Sequence, residues 1–330
     1  MGSDVADTIL TLLDLPLIFS RVSSTVLANK LLPEIRKICD SQTRTLLERE
    51  VGLGKNSPLY DLGNFYNFSL QSKLKGCLIR IVEQIQADPQ YYLDIKAQVV
   101  SSLMTEKRLL VQLFQKCGRN ELKFIVFTGL WGGFLLGLVQ MIGWLCWPIP
   151  ASLALGGAIV GYATDWFALT ILFQPVEPIQ ILGFKVHGLF LQRQREVSQE
   201  FASFVTKNLL TPDKLWNALS TGPQCSRLES LIKEELKREL IFFLPGLSDG
   251  DWSLFANAVL KALPRGAKCT HDYMQKELRL EETIRAEMLK MKSAEFERVL
   301  HPIFAEDELT LILVGTLLGA LSGALQVPFY

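Results

Sequence analysis

The sequence predicts a mostly α-helical integral membrane protein, with three transmembrane helices and helical soluble segments on one side. Three observations carry that prediction. Charge and apolarity are segregated along the chain. Three uncharged or nearly uncharged runs are each long enough to cross a bilayer. The intervening segments repeat apolar residues at three- and four-residue spacing.

The 330 residues include 34 basic and 34 acidic side chains, 49% hydrophobic residues and a mean hydropathy of +0.23. A balanced charge gives no bulk attraction to nucleic acid, so a nucleic-acid partner is not expected. Residues 124–147 (FIVFTGLWGGFLLGLVQMIGWLCW) and 309–327 (LTLILVGTLLGALSGALQV) contain no charge, and residues 151–173 (ASLALGGAIVGYATDWFALTILF) contain only Asp165. Each approaches or exceeds the ~20 apolar residues that span a hydrocarbon core. The expected organisation is a helical N-terminal soluble region at 1–123, a transmembrane hairpin at 124–173 turning at Pro148-Ile149-Pro150, a mostly helical soluble domain at 174–308, and a C-terminal transmembrane helix at 309–330.

Basic residues set the orientation. Lys107, Arg108, Lys116, Arg119 and Lys123 precede the first span, Lys185, Arg193 and Arg195 follow the second, and Lys290, Lys292 and Arg298 precede the third. The other side has no Lys or Arg, so the soluble regions are expected on the cytoplasmic side, or its stromal or matrix equivalent, with the C-terminus opposite. Trp144, Trp147 and Phe329-Tyr330 suit an aromatic belt at the far interface. The N-terminus carries Asp4, Asp7 and Asp14 without a basic region, unlike a secretory signal or an Arg-rich transit peptide. Met-Gly-Ser lacks the Ser or Thr wanted at the sixth place for myristoylation, which holds Ala6.

Two spans share one pattern. GLWGGFLLGLVQ (129–140) and GTLLGALSGALQ (315–326) both place glycine at the first, fifth and ninth positions and glutamine at the twelfth. Gly129, Gly133 and Gly137 therefore lie on one helix face, as do Gly315, Gly319 and Gly323, and the second span adds Gly157 and Gly161. Lipid gives no hydrophobic gain for helix contact, so small residues promote association by letting backbones approach. The expected arrangement has spans one and three flanking or contacting span two. Asp165, four residues after Gly161, shares the glycine face. Thr128 and Thr316 lie at similar depth on the other spans and are the expected hydrogen-bond donors, and Thr164 stands beside Asp165 as a further intramembrane polar residue. An intramembrane carboxylate is by default a functional site. The competing reading is a hydrogen-bond clamp between helices.

The soluble segments read as amphipathic helices, with a loop at KNSPLYDLGN (55–64) and one helix from Pro89 to Gly118 leading into the first span. IQILGFKVHGLFL reads as a short extended hairpin, QREVSQEFASFVTKNLL as one helix, and TPDKLWNAL as a helix with Thr211 as N-cap and Pro212 at its first position. Further helices are expected at 227–243 and 276–300. The six cysteines (Cys39, Cys77, Cys117, Cys146, Cys225 and Cys269) form no zinc-type spacing and read as reduced packing residues. His187, His271 and His301 are scattered. No metalloprotease, nucleotide-binding or nucleophile-elbow motif occurs, so neither a catalytic set nor a cofactor or metal is expected. Arg193 and Arg195, just behind the membrane, are candidates for lipid headgroups. The expected partners are membrane lipids, a second copy of the chain and an unidentified protein.

Residues 161–198 carry a longer pattern. Gly161-Tyr162-Ala163-Thr164-Asp165-Trp166-Phe167-Ala168 precedes Leu172-Phe173-Gln174-Pro175, and GLFLQRQREVS follows. This resembles the membrane proteins of domain of unknown function 445, the YheB/YjiN-like group, over the region from about residue 117 to the C-terminus. The resemblance implies a membrane protein with large helical soluble parts and brings no activity with it. Asp165 stands where that pattern usually has Asn, which favours the clamp over a required acid. The functional expectation is a non-enzymatic membrane anchor or scaffold, organising an envelope or handling lipid. The alternative is an oligomeric transporter or channel using Asp165.

Overall fold

The computed structural model describes residues 2–51, 63–106, 108–146, 150–181, 184–241 and 247–326. The helices run α1 (Gly2–Leu12), α2 (Leu15–Ser20), α3 (Ser24–Val51), α4 (Gly63–Ala87), α5 (Pro89–Tyr92), α6 (Ile95–Thr105), α7 (Arg108–Cys117), α8 (Arg119–Cys146) and α9 (Pro150–Phe173). Strands β1 (Ile179–Ile181) and β2 (Phe184–Val186) follow, then α10 (Leu189–Gln192), α11 (Gln194–Phe204) and a π-helical turn at Val205–Leu209. The chain continues through α12 (Pro212–Thr221), α13 (Cys225–Leu240), α14 (Asp249–Leu278), α15 (Leu280–Lys290) and α16 (Ser293–Gln326). Three stretches are long and apolar enough to cross a membrane: Lys123–Leu145, Ser152–Phe173 and Glu308–Gln326. The loop at 55–61, the Pro148-Ile149 turn, Trp147 and Phe329-Tyr330 lie outside the described residues.

Two compact units emerge, and they do not follow the segment order read from the sequence. One comprises residues 1–12, 106–204 and 284–330, and the other 13–105 and 205–283. The boundaries at 123 and 174 mark where spans begin and end. The N-terminal region and the segment after span two each contribute helices to both units.

In the first unit, α9 packs against both α8 and α16. At the foot of α9, Phe173 meets Phe190 of α10 at 5.6 Å between ring centroids, and Phe190 meets Phe296 of α16 at 5.9 Å. The antiparallel hairpin expected after span two is present, with Ile179 opposite Val186 and Gln180 opposite Lys185. Gly188 lets the chain return beneath α9: a β-carbon there would lie 2.9 Å from the Phe173 carbonyl. Gln194 donates from Nε2 to the carbonyls of Met288 (2.8 Å) and Met291 (3.0 Å), satisfying acceptors that the end of α15 leaves open. α7 packs on α11, and α1 on α16, where Thr8 Oγ1 donates to the Val299 carbonyl at 3.2 Å.

In the second unit, the 30-residue α14 packs against α3, α12 and α13. Its N-terminus is a capping box: Asp251 N–H donates to Ser248 Oγ (3.3 Å) and Ser248 N–H to Asp251 Oδ2 (3.1 Å). Gly266 leaves room for Leu31 of α3, whose Cδ2 would lie 2.5 Å from any β-carbon there. Trp216 Nε1 donates to the buried Thr270 Oγ1 at 3.0 Å. Arg80 of α4 donates to Glu235 and Glu239 of α13, both at 2.6 Å, and Lys73 adds a 3.3 Å pair to Glu239. Burial alone would raise the Glu239 carboxyl, but the Lys73 hydrogen bond and the Arg80 charge and hydrogen bond hold it below its ordinary 4.5.

Several local readings change. The expected single helix from Pro89 to Gly118 is three: Asp88 caps its start, Asp94 accepts the Ala97 N–H at 2.8 Å and begins a new helix, and α6 ends at Thr105 before α7 begins at Arg108. The helix expected over 276–300 breaks at Arg279, which is left-handed at φ 45°, and again after Lys290. The helix starting at Gln194 becomes π-helical at Val205. Most of the long α14 has no clear helical signal in the sequence. Gly250, Pro264 and Gly266 are poor helix residues, and tertiary packing overrides them. Thr211 does cap α12, accepting from Lys214 N–H at 3.4 Å. Cys39, Cys77 and Cys117 are buried as expected of packing residues, whereas Cys269 is exposed.

Candidate functional site: the membrane helices

The candidate site is the seam along α9, and it forms from the absence of side chains. The structure treats the two glycine ladders differently. A β-carbon on Gly157 would overlap the Gly319 carbonyl oxygen, and one on Gly161 would overlap that of Gly315. Reciprocally, β-carbons on Gly319 and Gly323 would overlap the carbonyl oxygens of Gly157 and Leu153. Gly157, Gly161, Gly315, Gly319 and Gly323 thus form one interlocked seam in which two helix backbones touch. Side chains would hold the axes at the usual 8–10 Å and break these contacts.

The first ladder makes no such seam. A β-carbon on Gly129, Gly133 or Gly137 would meet nothing within 4 Å. α8 instead approaches α9 through Gly132, where a β-carbon would lie 3.2 Å from Thr164 Cγ2, and through Gln140, whose Nε2 donates to the Leu153 carbonyl at 3.0 Å. Gly156 leaves space for that glutamine, since a β-carbon there would lie 2.8 Å from Gln140 Nε2. These contacts were legible only as the twelfth position of the repeat. The four-residue glycine spacing drew attention to the neighbouring positions instead.

Asp165 lies on the α9–α16 seam. A β-carbon on Gly315 would overlap its Oδ2, so the carboxylate rests directly on the α16 backbone. The threonines do not clamp it. Thr128 Oγ1 donates to the Phe124 carbonyl (2.7 Å), Thr164 to Val160 (2.8 Å) and Thr316 to Ile312 (2.7 Å). Each bond stays within its own helix, because the carbonyl four residues back lies within reach of a threonine hydroxyl and satisfies its single donor locally. Among the described residues no hydrogen bond or ion pair to the Asp165 carboxylate is formed.

At the base of the bundle, His301 ring nitrogens lie 3.0 Å from Glu297 and 3.2 Å from Glu308, and its ring packs on Phe173 at 5.2 Å. His187 Nε2 lies 3.0 Å from the Val176 carbonyl, and Gln192 Nε2 donates to the His187 carbonyl at 2.8 Å. His271 Nδ1 lies 3.2 Å from Asp213, so the three histidines serve separate local contacts. The two arginines behind span two also differ. Arg193 donates from Nε to Glu196 at 2.8 Å, while Arg195 is exposed and makes no ion pair among the described residues.

Comparison with known proteins finds relatives named as membrane proteins. Residues 155–265 match the profile of the family described as "Protein of unknown function (DUF445)", bearing out the resemblance on a narrower stretch than the region from 117 onward. Among curated relatives, the chain is 33% identical over 87 residues to a UPF0754 membrane protein of Geobacillus thermodenitrificans, covering 26% of this chain and 23% of that protein. It is 34% identical over 89 residues to one of Thermosynechococcus vestitus, covering 26% and 22%. To one of Staphylococcus aureus it is 29% identical over 85 residues, covering 25% and 23%. The match spans less than a quarter of these relatives' length. No solved structure matches the chain.

Proposed function

We propose that this chain, which carries the DUF445 segment of a family of membrane proteins, is a non-enzymatic membrane anchor that tethers a helical scaffold to one face of a bilayer. The observation that carries the reading is the α9–α16 seam. Gly157, Gly161, Gly315, Gly319 and Gly323 bring two backbones into contact, and such a seam suits a rigid mechanical tie rather than a conduit. The basic residues flanking the spans favour the scaffold facing the cytoplasm or its stromal or matrix equivalent. Carriage of lipid in an internal groove has less support. Helices α12 to α14 fill their interior with Trp216, Leu228, Trp252, Phe255 and Val259, all nearly fully buried.

One observation favours a second reading. The Asp165 carboxylate, without a polar partner among the described residues, suits an oligomeric transporter or channel. The two readings separate on the oligomeric mass of the full chain in mild detergent, measured for the wild type and Asp165→Asn. The anchor reading expects the same mass and melting temperature for both proteins. A defined wild-type oligomer that dissociates on Asp165→Asn would overturn it in favour of a pathway built around the acid.

A further inference from the structure

The start of the first span carries an exposed cationic surface that the bundle does not use. On α7, Leu109, Leu113 and Cys117 are buried, so Arg108, Gln112, Gln115 and Lys116 occupy the opposite, exposed face. Arg119 and Lys123, four residues apart on α8, continue the exposed charge up to the first residue of the span. Arg195 is exposed on α11, which packs against α7. None of these five cations makes an ion pair among the described residues. Arg193, by contrast, is taken by Glu196. Between 108 and 123 the sequence sets four cations against a single acid, Glu121.

Distance along the chain places this charge at the headgroups. Lys123 opens the apolar stretch, and Arg119 lies about 6 Å below it at 1.5 Å per helical residue. The headgroup layer is roughly 5–8 Å deep on each side of the hydrocarbon core, so Arg119 and Lys123 lie within it. Lys116, about 10 Å below Lys123 on the same measure, lies just beyond it and within a Debye length of the charged surface, whereas Arg108 at about 22 Å lies outside. Unpaired cations at that depth meet the phosphates of their own leaflet. An orienting charge needs only position. A run of unpaired cations on one helix face, continued on a neighbouring helix, adds a multivalent surface for negative charge.

We propose that Lys116, Arg119, Lys123 and Arg195 form a binding surface for anionic phospholipid headgroups, which gives the protein a preference for negatively charged bilayers. The proposal rests on the anchor reading only in taking Lys123 as the start of a membrane span. It does not depend on the oligomeric state or on Asp165.

The test uses the full chain in mixed micelles containing equal amounts of phosphatidylglycerol and phosphatidylcholine, with retained lipid quantified by mass spectrometry. The wild type should retain phosphatidylglycerol in preference, and the preference should fall between 50 and 500 mM salt, as screening requires. The variant K116Q/R119Q/K123Q/R195Q should lose that preference, by about fivefold for each cation removed. A charge-matched control on exposed positions of α14, K261Q/R265Q/K268Q/K276Q, should keep it. If the quadruple variant fails to fold, K116Q/R195Q and R119Q/K123Q measured separately should each lower the preference. Equal retention of both lipids by the wild type would overturn the proposal. So would an equal loss in the α14 control, or displacement of the lipid by millimolar inorganic phosphate, which would indicate a site for free anions.

Discussion

Gly161 of α9 and Gly315 of α16 touch through their backbones: a β-carbon on Gly161 would overlap the Gly315 carbonyl oxygen. The same relation holds one turn along, between Gly157 and Gly319. Two helices in lipid gain little from apolar contact, so their association depends on how closely the backbones approach. This seam is therefore sensitive to any added side chain.

Gly161→Leu should destabilise the protein strongly, by at least the ~1–3 kcal/mol typical of overpacking, because the obstacle is backbone and cannot rotate away. Gly133→Leu, where a β-carbon meets nothing within 4 Å, should be close to neutral. Thermal unfolding of both variants in detergent measures the difference. Equal melting temperatures would refute the unequal roles of the two ladders.

The Arg80 network predicts acid sensitivity in the second unit. The Glu239 carboxyl is held below its ordinary 4.5, so its stabilising contribution is fully present above that value. The contribution is lost as pH falls below about 4.5 and through the lower folded-state value. Urea unfolding between pH 6 and pH 3 should show this decline, and Arg80→Met should flatten it. At neutral pH the same variant leaves the buried Glu235 with only the exposed Arg238 nearby, at 3.0 Å, and should cost up to ~3–5 kcal/mol.

Thiol reactivity should follow burial and thiolate character. Cys269 is exposed, while Cys77 is buried and its thiol is pushed up to about 12 by burial and the nearby Glu235. Burial also raises the Cys39 thiol. At pH 7.5 a maleimide should modify Cys269 within minutes and leave Cys39 and Cys77 unmodified until the protein is denatured. Peptide mapping by mass spectrometry reads the order directly.

Trp216→Phe removes the donor to Thr270 Oγ1 while keeping an aromatic ring in the buried site. Thr270 still has the Gly266 and Ala267 carbonyls, at 3.1 and 3.2 Å, so its hydroxyl hydrogen keeps a partner. The expected cost is ~1–2 kcal/mol, from one neutral hydrogen bond and some lost packing. Trp216→Ala should cost ~3–5 kcal/mol, and chemical denaturation distinguishes the two.

Three helical membrane spans, their places in the chain and the face that Asp165 shares with Gly157 and Gly161 are all legible in the amino-acid order. Those properties follow from local composition and helical periodicity, which a linear chain displays directly. The short hairpin at 179–186 and the Thr211 cap were legible for the same reason: a few adjacent residues decide them. Which glycine ladder is used becomes visible only in the packed helices. Gly129, Gly133 and Gly137 match Gly315, Gly319 and Gly323 position by position, yet only the second set meets the backbone of α9. Helix contact depends on the partner's surface and the crossing geometry, and no repeat within one helix encodes either. The threonines make the same point. Each could reach Asp165 by depth, but the carbonyl four residues back was nearer. The interleaving of 13–105 with 205–283 was likewise invisible in the sequence, because packing between distant segments joins surfaces that periodicity describes only one at a time.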